Sequence, residues 1–165
     1  MLARVEACVP ALRRHALALL RDRQAADDLV HNCLSRALDE PHALRDGGDV
    51  RVWLFAIMHS LFVSQRHHTR RRAKAFDDTS GSSSTISGEQ EDTLQRSKLE
   101  RDLSTLPHEQ RAAILLVSVE DLTYAEAARV LGVSVETVVS RLASGRERLR
   151  RAAQDGVRPS PQRIK

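Results

Sequence analysis

Apolar residues return at helical spacing in one block after another along this chain, and the punctuation between blocks sorts them into a set of three helices and a set of four. Pro10 suits the first turn of a helix running to about Arg21, with Leu12, Ala16, Leu19 and Leu20 near one side. A second helix covers about Gln24 to Asp39. It buries Leu29, Val30, Cys33, Leu34, Ala37 and Leu38, leaves Asp27, Asp28, His31 and Ser35 outside, and ends at Pro41. After the loop PHALRDGGD, Asp49 caps a long helix from Val50 to about Arg72. Val50, Trp53, Leu54, Ile57 and Leu61 form its inward stripe, which assigns Trp53 to the core; Ser60, Ser64, His67 and Arg71 share another face. Phe55 and Phe62 lie on a separate stripe that the pattern leaves open.

The second set begins with a helix from about Thr93 to Leu103, followed by one opened by Pro107 with Ala113, Ile114, Leu116 and Val117 as core. Thr123 stands three residues before Glu126, the capping-box spacing, and Ala127, Val130 and Leu131 carry a short helix to Gly132, which allows a tight turn. Ser134 caps the last helix. Its inward stripe is Val135, Val138, Leu142 and Leu149, leaving Glu136, Thr137, Val139, Ser140, Arg141, Ala143, Ser144 and Arg146 on the outer faces. Two helices joined this way, with hydroxyls and arginines crowding the second, predict a helix-turn-helix that reads base edges and grips phosphates.

Between the sets, residues 75–92 read AFDDTSGSSSTISGEQED, with five acidic residues and no Lys or Arg, which is linker chemistry. The expected organisation is all-α: a three-helix domain at 1–74, a flexible acidic Ser/Gly linker at 75–92, a four-helix domain at 93–157 and a basic tail at 158–165. A hydrophobic content of 41% with only 3% aromatics agrees with helices packed through Leu, Ala and Val.

The net charge of +4 favours a polyanionic partner, and its distribution sharpens the point. Arg66, Arg70, Arg71, Arg72 and Lys74, interleaved with His67 and His68, place a second basic cluster in the first domain. Catalysis has no support: the seven histidines form no metal pair, and no phosphate loop, nucleophile elbow or CxxC is present, so neither metal nor cofactor is expected. Cys8 and Cys33 lie in helical patterns without metal-ligand spacing and read as buried free thiols. No apolar run is long enough to insert in a membrane, and the start is too interrupted by charge for a secretory signal, which predicts a cytoplasmic protein.

Three blocks carry a family resemblance: ALRRHALALLRDRQAADDLVHNCLSRAL, VRVWLFAIMHSLFVSQRHHTRRR and, after the acidic linker, LSTLPHEQRAAILLVSVEDLTYAEAARVLGVSVETVVSRLASGRERLRR. In order and spacing, from Pro10 to Arg151, they resemble an extracytoplasmic-function (ECF) sigma factor of the group IV sigma-70 family. The resemblance implies sigma region 2-like and region 4-like domains that bind core RNA polymerase and direct promoter-specific initiation. On the duplex −35 element it implies contacts from Thr137, Val139, Ser140, Arg141, Ala143, Ser144 and Arg146. On the melted −10 element it implies Leu44 in the loop and Ser60, Ser64, His67, Arg70 and Arg71 on the long helix. For polymerase it implies Asp28, His31, Asn32 and Ser35 against the β′ coiled coil, with the β flap a further contact and an anti-sigma factor as regulator. Several positions depart from the family pattern. Ser60 stands where relatives often carry Asn, Val139 where they often carry Arg, and His31 and Asn32 replace a Gln and an acidic residue. Those departures leave room for a sigma mimic, an adaptor that binds an anti-sigma regulator without opening promoters. An operator-binding dimer would need a dimerisation helix or ligand domain that the sequence does not offer.

Overall fold

A computed structural model describes residues 2–40, 48–75 and 101–155, and every regular element among them is helical. In chain order these are α1 (Leu2–Leu20), α2 (Arg23–Asp39), α3 (Val50–Ala75), α4 (His108–Ile114), one wide turn of π-helix at Leu115–Val119, α5 (Tyr124–Leu131) and α6 (Val135–Asp155). A further helical turn at 101–104 precedes α4. The all-α expectation holds. Most of the helix expected at 93–103, the linker beyond Ala75 and the tail at 158–165 lie outside the described residues.

Short side-chain caps place several of the boundaries. Asp22 Oδ1 accepts from the Ala25 N–H at 2.8 Å to open α2, and Asp49 Oδ1 accepts from the Arg51 N–H at 2.8 Å to open α3, as expected. The start of α1 differs from expectation: the helix begins at Leu2, and Pro10 sits inside it. Pro10 is exposed while Val5, a turn earlier, is buried, so packing of the first turns outweighs the hydrogen bond that proline cannot make.

Within the first unit, Leu12, Ala16 and Leu19 of α1, Leu29, Val30 and Cys33 of α2, and Leu54, Phe55, Met58 and Phe62 of α3 are buried. Phe55 and Phe62 therefore belong to the core, whereas Trp53, Ile57 and Leu61 are only half-buried. The inward stripe of α3 is rotated from the expected one because α3 is covered on two sides, by α2 and by α5. Leu38, near the end of α2, is exposed, contrary to expectation, and Cys8 is half-buried where a buried thiol was expected. Cys33 is buried as expected, and its thiol donates to the Leu54 carbonyl at 3.3 Å. His15 is buried too, edge-on to Phe55 with ring centroids 5.0 Å apart. Burial, then the nearby His59 and Arg14 charges, push its pKa down to about 3.

The two helical units share one continuous buried core, with α5 lying against α3. Polar clasps reinforce the contact. Arg111 donates to the carbonyls of Leu103 (2.8 Å), Ser104 (3.0 Å) and Leu106 (3.1 Å) in its own unit, and of Leu19 (3.0 Å) at the end of α1. Glu120, fully buried, accepts from Arg14 at 3.0 Å and from Arg51 at 2.8 Å. The π-turn aims this carboxylate: the Glu120 N–H reaches back five residues to the Leu115 carbonyl at 3.0 Å, and Asp121 then turns the chain at φ +53°.

Two expectations follow. Glu120→Ala should lower stability by about 1–3 kcal/mol in urea unfolding, since it strands two partly solvated arginines and removes charge-assisted hydrogen bonds. His15 should make stability fall as pH drops. Its folded pKa is depressed, so its contribution is complete above about 6.5, the unfolded value, and is lost toward about 3. Unfolding free energies between pH 7 and 4 should decline less steeply in His15→Leu, by up to about 1.4 kcal/mol per pH unit.

Candidate nucleic-acid interface

The helix-turn-helix forms as its sequence dictates. Thr123 Oγ1 accepts from the Glu126 N–H at 3.3 Å, and Glu126 Oε2 accepts from the Thr123 N–H at 2.8 Å, closing the reciprocal capping box. Hydrogen bonds from the Thr123 side chain and then its backbone hold the Glu126 carboxyl below its ordinary range. Gly132 ends α5 at φ +65°, ψ +36°, with its N–H bonded to the Ala128 carbonyl. Ser134 Oγ then accepts from the Thr137 N–H at 3.2 Å and starts α6.

On α6, Val138 and Leu142 are buried and Leu149 half-buried, as the stripe required, but Val135 is 40% exposed. Gly145 explains how closely α6 approaches α4: a Cβ there would stand 2.6 Å from Ile114 Cδ1. The opposite face carries Val139, Ser140, Ala143, Ser144 and Arg146, all exposed. Arg146 donates to Ser118 Oγ at 3.4 Å, and the Thr137 hydroxyl is 3.0 Å from Ser134 Oγ, so Thr137 helps to close the cap. Arg150 and Arg151 are held by Glu147, at 2.6 and 2.8 Å. Arg141 has no carboxylate partner among the described residues.

On α3, Ser60, Ser64, His67 and Arg71 are exposed along one helical face. Leu44 and the side chain of Arg70 lie outside the described residues. On α2, Asp28, His31 and Asn32 are exposed and Ser35 is half-buried, all on the side away from Leu29, Val30 and Cys33. His59 borders the exposed α3 face and is half-buried; burial, then Arg141 and His108, push its pKa down to about 4. His67 and Arg141, expected on two separate surfaces, line the same cavity between the units.

Residues 5–59 match the family model of the Sigma2 domain of PhyR, and residues 96–149 match that of Sigma-70, region 4. Over 146 residues the chain is 34% identical to the ECF RNA polymerase sigma factor EcfG of Rhodopseudomonas palustris, covering 87% of this chain and 79% of that protein. The chain belongs to the ECF RNA polymerase sigma factors. It is likewise 32% identical over 140 residues to SigC of Mycobacterium tuberculosis, covering 81% of this chain and 72% of that one. The sigma factor RpoE of Bartonella quintana, solved in complex with the anti-sigma factor NepR, superposes with a TM-score of 0.80 at 29% identity, over 91% of this chain and 94% of that one. This protein is therefore a sigma factor of RNA polymerase, a DNA-binding initiation factor, and no helix among its described residues is long and apolar enough to cross a membrane.

Sequence reasoning missed three residues of this sigma factor that the fold makes important. Glu120 follows an apolar run and carries no periodic signal of burial; its partners lie 106 and 69 positions away. Arg111 and His59 read as ordinary surface residues, yet both are half-buried in the folded chain. Gly132 was legible. Gly132→Ala should lower stability by about 1–2 kcal/mol in urea unfolding, the cost of a Cβ at left-handed φ, even though nothing lies within 4 Å of that position.

Proposed function

We propose that this sigma factor contacts the duplex −35 element through the exposed face of α6, with Ser140, Arg141, Ala143, Ser144 and Arg146 nearest the DNA, Val139 against a thymine methyl and Thr137 at the helix entry. The melted −10 strand runs along Ser60, Ser64, His67, Arg70 and Arg71, with Leu44 in the loop ahead of α3. Asp28, His31, Asn32 and Ser35 meet the polymerase β′ coiled coil, and the second unit meets the β flap. The observation that carries this reading is the segregation of faces: each set of residues sits largely on a solvent-facing side of a helix whose other side is core.

The two promoter elements stand about 25 base pairs apart, roughly 85 Å at ~3.4 Å per pair. His67 and Arg141 share one cavity, so gripping both elements requires the units to separate. The linker sequence after Ala75, as far as residue 92, has a maximum reach of about 60 Å at ~3.4 Å per residue, enough with the units themselves to bridge that span. The similar sigma factor RpoE was solved with an anti-sigma factor, which supports an anti-sigma partner here. The match of residues 5–59 to the PhyR domain favours a second reading, the sigma mimic, because one similar fold is that of the anti-anti-sigma factor PhyR of Bartonella quintana in complex with the anti-sigma factor NepR.

Run-off transcription separates the two readings. Core polymerase supplemented with this chain should yield transcripts from genomic fragments that core alone ignores, and Arg141→Ala should weaken −35 duplex binding by about tenfold. Absence of any factor-dependent transcript, with intact binding to an anti-sigma protein, identifies the mimic.

A further inference from the structure

A cavity of about 250 Å3 lies where the two units meet, many times the space one water needs. Its polar lining comes from His59, Arg66 and His67 of α3, His108 and Glu109 of α4, and Arg141 of α6. Val63 and Leu131 supply apolar wall. Two guanidiniums thus face one small space from opposite units. Glu109 brings the single carboxylate on that lining, and its Oε1 lies 3.3 Å from His108 Nε2. Arg66 rests over the Phe62 ring, 5.7 Å from the centroid, which engages its face and leaves its N–H edge unspent. Among the described residues neither Arg66 nor Arg141 pairs with a carboxylate, whereas Arg14, Arg36, Arg51, Arg150 and Arg151 all do.

The neighbouring imidazoles register the resulting positive field. Burial first, then Arg141 and His108, depress His59; burial first, then Arg66, depress His108, with Glu109 opposing. Walls of low polarizability concentrate such a field and draw in anions. Two arginines against one carboxylate leave the lining with an excess of positive charge, and the two guanidiniums come from opposite units. An anion long enough to reach both arginines offsets that excess and adds charge-assisted hydrogen bonds to each unit.

We infer that this cleft is a polyphosphate site, in which a compact phosphate chain, free or carried on a nucleoside, bridges Arg66 and Arg141 and holds the two units together. Because the ligand touches both units it binds the docked arrangement and not a separated one, so its occupancy favours the form in which His67 and Arg141 border one cavity instead of reaching two separate promoter elements. The binding site rests on the cavity and its charges; the consequence for DNA rests on the promoter contacts proposed above.

Isothermal titration of the full chain with sodium tripolyphosphate at constant ionic strength tests it, with ATP as a second arm. Saturable one-to-one binding is expected, weakened about tenfold by Arg66→Gln and by Arg141→Gln, each the loss of one charge-assisted contact. Arg148→Gln, which removes an exposed arginine of α6 outside the cavity, should leave affinity unchanged. Equal affinity for both ligands assigns the site to the phosphate chain alone, and tighter ATP binding assigns it to a nucleotide. Small-angle scattering should give a radius of gyration that falls, or holds at its compact value, on saturation. The inference is overturned if tripolyphosphate gives no saturable heat, or if Arg148→Gln weakens binding as much as the cavity variants. It is equally overturned if a single-stranded oligonucleotide saturates Arg66 and Arg141 while tripolyphosphate does not.

Discussion

A carboxylate wholly withdrawn from water has to be met by positive charge or abandon its ionisation, and Glu120 is met by two arginines from the other half of the chain. That requirement ties the second unit to α1 through Arg14 and to the first turn of α3 through Arg51. Once those ends are fixed, α5 has a defined seat along α3, Arg111 reaches the Leu19 carbonyl near the end of α1, and a gap is left further along α3 that Arg66 and Arg141 line from opposite units. A paired buried charge at one end of the contact, and at the other two guanidiniums without a carboxylate partner among the described residues, come from the same docking geometry.

Family membership and promoter choice rest on different residues. Similarity along most of the chain identifies the protein as a sigma factor, and it does so through residues that set helix order, caps and core spacing. The promoter contacts proposed above fall instead on exposed side chains of α3 and α6, where this chain carries Ser60 and Val139. With the contacts proposed above, a surface so poor in long polar groups would read DNA shape and methyl groups more than it would use bidentate hydrogen bonding.

Local signals were legible because their physics is local. A threonine three residues from a glutamate, an aspartate ahead of an apolar run and a glycine at a helix end each act within one turn, and Thr123, Asp49 and Gly132 do what their neighbours require. Faces were legible where a helix packs on one side only: α6 buries Val138 and Leu142 and exposes Val139, Ser140 and Ser144 as its periodicity states. The pattern failed on α3, whose second covered side comes from a segment about 70 positions downstream, and it therefore assigned Trp53 to the core and left Phe55 open. It failed for Glu120 and His15 for a related reason, since burial of a polar residue depends on partners that no window of sequence contains.

The wide turn at Leu115–Val119 has a consequence for how such a docking contact can be gained or lost. One surplus residue in a helical turn rotates everything after it by about 100° around the axis. In this chain that phase shift swings the residue after Val119 inward, onto Arg14 and Arg51. A chain one residue shorter there would keep every charge of the clasp in its composition and aim its carboxylate elsewhere, so the fit of the two halves depends on the length of this turn as well as on the charges they carry.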